Sequence, residues 1–223
     1  MNRVFFNGKC KSNRCLMIKR ETIKPVLILS IFGGLCLTSD SQALASSWQI
    51  DSQQSKATFS VKHMMISTVK GSFSKLEGTV DYDGKNLKEA KVQASIDVDS
   101  IDTNSKQRDD HLRSKDFFNS KKYPKIKFTS KKITEREQGF DIEGDLTIHG
   151  VTKPVTLNAG KLVTLGNDSQ TPNKIAATAT SQINRKDFGM TFNKQLDNGG
   201  AMVGDEVAIV LEIEMTSQDK SGK

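Results

Sequence analysis

Apolar and polar residues take turns at every second position through most of this chain. Ala57, Phe59 and Val61 alternate with Lys56, Thr58, Ser60 and Lys62. Leu76, Gly78, Val80 and Tyr82 alternate with Glu77, Thr79 and Asp81, and Val92, Ala94, Ile96 and Val98 face away from Lys91, Gln93, Ser95 and Asp97. Ile126 and Phe128 sit among Lys125, Lys127 and Thr129, and Phe140, Ile142, Gly144, Leu146 and Ile148 oppose Asp141, Glu143, Asp145 and Thr147. Ile175, Ala177 and Ala179 run beside Thr178 and Thr180. Val207, Ile209, Leu211, Ile213 and Met215 form a last apolar face, with Glu212 and Glu214 on the other. A period of two is the signature of strands. One apolar and one wet face per strand predicts antiparallel strands around a single interior. Asp83-Gly84, Gln138-Gly139 and Asn198-Gly199-Gly200 supply turn signals between runs.

One stretch breaks the alternation. Ser105 to Ser114 is polar and lacks β-branched residues, with Ser105 at a capping position, which predicts a short helix followed by Phe117-Phe118. A second helical turn is expected near Met64-Met65-Ile66. Roughly eight strands build either a sandwich or a barrel. An eight-stranded barrel has an interior that side chains fill or that holds one small ligand. Ala57, Gly78, Ala94, Gly144, Ala177 and Ala179 are small residues on apolar faces. They leave interior volume free unless the phenylalanines close it, and periodicity alone leaves both outcomes open.

The first 45 residues carry a different pattern. Arg3, Lys9, Lys11, Arg14, Lys19, Arg20 and Lys24 precede an apolar run from Val26 to Leu37, and Ala43-Leu44-Ala45 follows a short polar stretch. Positive start, short apolar middle and small-x-small end make up a secretory signal peptide, with cleavage expected after Ala45 and Met17 a candidate initiator. A run of about a dozen apolar residues is too short for a span of about 20, so no stable membrane anchor is expected. Cys10, Cys15 and Cys36 all lie in this leader. The remaining domain, 46–223, therefore has no disulfide, thiolate metal site or cysteine nucleophile.

Charge changes meaning once the leader is set apart. Seven of the 33 Lys and Arg and two of the 26 Asp and Glu lie there, which leaves 26 against 24 and a net +2. That surface gives no footprint for nucleic acid. The cluster Lys121, Lys122, Lys125 and Lys127 reads as a solvated strand face.

Nine segments then fall in an order that resembles the YceI family of lipid- or polyisoprenoid-binding proteins. They begin with Trp48-Gln49-Ile50-Asp51, Phe59-Ser60-Val61-Lys62-His63, Gly71-Ser72-Phe73 with Gly78, and Ser100-Ile101-Asp102-Thr103. The most specific is Arg108-Asp109-Asp110-His111-Leu112-Arg113-Ser114-Lys115-Asp116-Phe117-Phe118. Tyr123 to Phe128, Gly144 to Val155, Arg185 to Met190 and Val203 to Val207 complete the set, which spans Trp48 to about Met215. The resemblance implies an all-β, eight-stranded antiparallel lipocalin-like β-barrel with one or two short helices, usually periplasmic, whose long apolar tunnel takes an isoprenoid or fatty-chain lipid.

On that footing the tunnel-lining candidates are Phe59, Val61, Phe73, Ile96, Phe117, Phe118, Phe128, Leu146, Ile148, Phe188 and Met190. Head-group candidates are His63, Arg108, His111 and Arg185, since arginine grips phosphate with paired hydrogen bonds. Arg108 with Asp109, and Arg185 with Asp187, equally suit a purely structural tie between the helix, a loop and the rim. The three histidines, His63, His111 and His149, are too scattered for a ligand spacing, so no metal or cofactor is expected beyond the bound lipid. Asp109, His111 and Ser114 have the spacing of helix neighbours, and no nucleophile elbow or phosphate loop accompanies them, so no enzyme is expected. The alternative to lipid carriage, storage or sequestration is a stress or interaction factor acting through its surface, with lipid as filler. A homodimer stays open as an assembly.

Overall fold

The computed structural model describes residues 47–64, 66–83, 85–165, 174–195 and 201–218. The leader 1–45, the initiator at Met17, and the turn residues Gly84 and 198–200 lie outside the described residues, as does Met65.

The alternating runs become strands β1 (Ser47–Ile50), β2 (Lys56–His63), β3 (Ser67–Phe73), β4 (Leu76–Asp81), β5 (Lys91–Asp97), β6 (Ile101–Asp102), β7 (Lys125–Arg136), β8 (Gly139–Ile148), β9 (Val151–Ala159), β10 (Val163–Thr164), β11 (Lys174–Asn184) and β12 (Val203–Ser217). Helix α1 covers Lys106–Arg113. Several of these strands are halves of longer staves. Both β1 and β2 pair with β12, Ile50 opposite Met215 and Ala57 opposite Leu211. β3 pairs with β2 and β4 with β1, while β5 pairs with β4 and β6 with β3. Three broken staves and the five unbroken strands β7, β8, β9, β11 and β12 thus form an eight-membered antiparallel barrel, which β12 closes onto β1 and β2. Neighbours in the barrel are neighbours in sequence, as in up-and-down barrels.

Three breaks in the ladder are bridged by serine hydroxyls. Between β1 and β2, the buried Ser55 hydroxyl donates to Glu214 O at 3.2 Å and accepts from Glu214 N at 3.0 Å. Between β5 and β6, the Ser100 hydroxyl donates to Asp97 O at 2.6 Å and accepts from Lys75 N at 3.2 Å, so it spans the β3–β4 break as well. Where β7 shifts register after Ser130, that residue's hydroxyl accepts from Val92 N at 2.8 Å. Orphaned backbone groups inside a wall are costly, so these substitutions let the staves bend without opening the barrel.

Two expectations change. Met64 and Ile66, the described ends of the expected helical turn, belong instead to a reverse turn between β2 and β3: Met64 has φ +51° and Ile66 N donates to His63 O at 3.3 Å. Strand β9 escaped the pattern because Lys153-Pro154 interrupts it, yet it pairs with β8 over its whole length. The single α-helix stands where expected, although the Ser105 side chain makes no capping bond. Asp109 on α1 instead accepts from Thr103 N at 2.9 Å and from its hydroxyl at 2.6 Å, which ties the helix to the end of β6.

The interior divides into two clusters. Trp48, Ile50, Leu76, Val80, Ile175 and Met215 gather at one end. Phe73, Val98, Phe128, Leu146, Phe188 and Met190 gather at the end beside α1. Gly144 lets β7 approach β8, because a Cβ there would lie 2.5 Å from Thr129 O and 2.6 Å from the Phe128 ring. We expect Gly144→Val to lower stability by about 1–3 kcal/mol, the usual cost of overpacking. A urea melt checks this, and an unchanged midpoint would mean that the wall yields freely at this point.

Candidate functional site: an apolar lumen

The inward side chains leave an elongated cavity of about 260 Å³. Its wall runs from Ile50, Tyr82, Leu87, Leu162 and Met215 at one end to Leu112, Phe117, Phe118 and Met190 near α1. Along β11 alone the lining extends from Ile175 to Ile183, about 26 Å of strand at about 3.3 Å per residue. The volume is close to the lower bound for small-molecule sites, so a space of this length is narrow. The alternation of the strands produces the lumen directly. The inward faces carry large residues on β2 and β7, but alanines on β5 and β11, at Ala94, Ala177 and Ala179.

Ten of the eleven tunnel candidates border this space. Phe59, Val61, Phe73, Ile96 and Phe128 do so from the first staves. Leu146 and Ile148 reach it from β8, and Phe117, Phe118 and Met190 from the segments at the α1 end. Phe59 and Phe73 lie 5.6 Å apart between centroids, and Phe118 meets Phe73 edge-on at 5.9 Å. Phe188 is the exception. It is 1% exposed but does not border the lumen. Strand alternation ends at Asn184, and the 3-10 turn Arg185–Phe188 sets this ring in the core cluster, where it borders a cleft beside β9 and not the lumen. Leu87, Ala90 and Leu162 were not anticipated, since they come from connections that show no alternation.

The head-group candidates separate on geometry. His63 ends β2 opposite Val203 and Ser67 and does not border the lumen. Arg108 is turned to Thr103, its Nε donating to the hydroxyl at 2.8 Å and an Nη to the carbonyl at 2.7 Å. His111 pairs with Asp116 at 2.9 Å and stands edge-on to Phe117 and Phe192. Arg185 alone of the four reaches the lumen, and it is 3% exposed. All five of its N–H donors are engaged. Nε donates to Gly204 O, Nη1 to Met190 O and Phe192 O, and Nη2 to Val203 O and Asp205 Oδ1. A guanidinium has no sixth donor. The structural tie expected for Arg185 exists, with Asp205 as its carboxylate rather than Asp187. Burial pulls the Arg185 pKa below its ordinary value, while Asp205 beside it pulls the other way.

The Asp109, His111 and Ser114 set does not converge. Asp109 is held by Thr103, His111 by Asp116, and Ser114 Oγ accepts from Asp116 N at 3.3 Å. Among the described residues, no three of His, Cys, Asp and Glu are placed to hold a metal ion, and no helix is long and apolar enough to cross a membrane.

Arg185→Lys should lower stability by about 2–4 kcal/mol, because several buried carbonyls lose their donors at once. Thermal unfolding of the variant gives the measurement. Loss of ligand binding at unchanged stability would instead mark Arg185 as a ligand contact.

Comparison with known proteins gives a consistent result. The family model described as the YceI-like domain matches residues 48–215. Protein YceI of Escherichia coli O157:H7 is 37% identical over 198 residues, which cover 88% of this chain and 100% of that one. Among solved structures, BcnA of Burkholderia cenocepacia superposes with a TM-score of 0.61 at 26% identity, over 74% of this chain and 98% of that one. A polyisoprenoid binding domain from Saccharophagus degradans, implicated in plant cell wall breakdown, has a TM-score of 0.57 at 16% identity, over 76% and 98%, and so shares the fold.

Proposed function

This chain belongs to the YceI family, and from that premise we propose that it binds one long-chain apolar ligand in the barrel lumen: a polyisoprenoid, an isoprenoid quinone or a fatty-chain lipid. The observation that carries the reading is the lumen itself, which is long, narrow and apolar, with the one cation that lines it among the described residues already saturated. The description of the Saccharophagus degradans domain as polyisoprenoid-binding agrees with this reading, on the strength of a shared fold. At about 0.3 kcal/mol per heavy atom, a chain of about 20 carbons contributes roughly 6 kcal/mol, a dissociation constant of tens of micromolar. Contact along the chain thus accounts for binding without a charged head-group site. The pattern of residues 1–45 supports export through a cleaved signal peptide and a periplasmic role in carriage, storage or sequestration. Binding without catalysis is the reading in keeping with the separate partners of Asp109, His111 and Ser114.

The test is to purify the protein from its own host without detergent, extract it with organic solvent and identify the extract by mass spectrometry. A stoichiometric isoprenoid, quinone or fatty-chain compound is expected. Ala177→Phe, which places a ring in the lumen, should reduce the extracted lipid several-fold while the barrel still melts cooperatively. Phe128→Asp or Leu146→Asp should abolish loading or folding. Normal lipid content in Ala177→Phe together with either aspartate variant would mean that the ligand lies elsewhere.

A further inference from the structure

The barrel wall is not equally closed all round. β11 pairs with β12 at eleven positions and β9 pairs with β8 at nine. Between β9 and β11 the ladder holds two pairs, Ala159 with Ala179 and Asn158 with Thr180. Beyond these the two strands form no further ladder pair, although β9 continues to Val151 and β11 to Asn184.

Three further observations fall on this seam. Pro154 stands in the unpaired part of β9, opposite Asp145 of β8. Proline has no N–H to offer, and within sheets it belongs at edges. The gap is crossed by a side chain, with the Ser181 hydroxyl donating to Thr156 O at 2.8 Å. Lastly, a cleft of about 570 Å³ lies outside the seam, lined by Lys131, Lys153, Thr156, Gln182 and Asn184 among others. Ser181 and Ile183 border both this cleft and the lumen. One strand's thickness therefore separates the apolar interior from a cleft that carries both polar and apolar groups, at the place where one side-chain hydrogen bond crosses the seam.

We propose that the β9–β11 seam is the lateral opening through which a lipid chain enters and leaves the lumen. Above Asn158 and Thr180, parting β9 from β11 breaks the Ser181–Thr156 bond and no backbone ladder. Parting β11 from β12 or β7 from β8 over the same length would break several ladder bonds, and where the β3–β6 ladder is equally short, Arg113 of α1 adds a tie to Ile101 O at 2.8 Å. The polar side chains of the cleft, Lys131, Lys153 and Gln182 among them, give a head group somewhere to remain hydrated while the chain slides inward, which the apolar lumen does not.

The inference rests on the lumen being the ligand site, and the test separates the two. The described domain has no cysteine of its own, so a pair can be introduced cleanly. Thr156→Cys with Gln182→Cys places two thiols at the next outward positions in register beyond Asn158 and Thr180. The delipidated protein is mixed with cis-parinaric acid, a fatty acid that fluoresces in apolar surroundings. The loading rate is compared between the reduced form and the form closed by oxidation or by a short bis-thiol cross-linker. Closure should slow loading by about tenfold or more, as expected for gated access, and reductant should restore the rate of the oxidised form. In a separate variant, Ser181→Ala should speed loading several-fold, since it removes the bond across the gap. Equal rates in open and closed forms would overturn the seam as the opening and leave the lumen reading intact. Failure of the reduced protein to load the probe at all would overturn the lumen reading, and the opening with it.

Discussion

A barrel has no free edge, and every property of this molecule depends on keeping it so. Unpaired N–H and C=O groups in a wall are costly, and open edges recruit other strands. Yet long staves cannot curl around a lumen without bulges and breaks. The chain meets these demands with the smallest hydroxyl side chain. Ser55, Ser100 and Ser130 each supply the hydrogen bond that the backbone cannot make at a bend. Ser181 does the same across the β9–β11 seam, but alone, where elsewhere a ladder continues on either side.

The closed wall in turn decides what the interior can hold. Every inward position on a stave is apolar or is occupied by a group already hydrogen-bonded. Arg185 shows the principle most clearly. An arginine at the edge of an apolar space invites a reading as an anion receptor, but its five donors are consumed by four carbonyls and Asp205. It joins the 3-10 turn after β11, the segment through Phe192 and the start of β12 into one rim. Lys186 adds a second cation to Asp205 at 2.7 Å. The rim is thus built by charge whose hydrogen bonds are already committed within the protein.

Much of this was legible in the sequence because alternation reports side-chain direction at each residue. Ala57, Phe59 and Val61 face inward for the same reason that Lys56 and Lys62 face out. Alternation fails where direction is set by something else. Phe188 is apolar and buried, yet a 3-10 turn rotates it off the lumen. Leu87 and Leu162 line the lumen from connections with no period to read. The partner of Arg185 was misplaced because Asp187 is near in sequence, while Asp205 is brought near by the pairing of β11 with β12. One signal was present and overlooked. Ser55, Ser130 and Ser181 each occupy an inward phase of their strand. A polar residue there needs a partner, and it marks where the ladder breaks.

These features together define how such a protein would choose its ligand. A lumen lined by apolar side chains, with the donors of Arg185 all engaged, does not recognise a head group by charge, so discrimination falls on length and girth. Each further methylene that finds a place inside contributes about 0.3 kcal/mol of net binding, until the chain reaches Ile50 and Met215 at one end and Phe117 and Phe118 at the other. Beyond that point, added length gains nothing. Bulky or branched rings meet the alternative limit, since Phe59, Phe73 and Phe118 already meet in tilted and edge-on contacts within the lining. Selection by a narrow, closed, apolar space follows directly from the alternation of the strands, and the polar residues serve to keep that space closed.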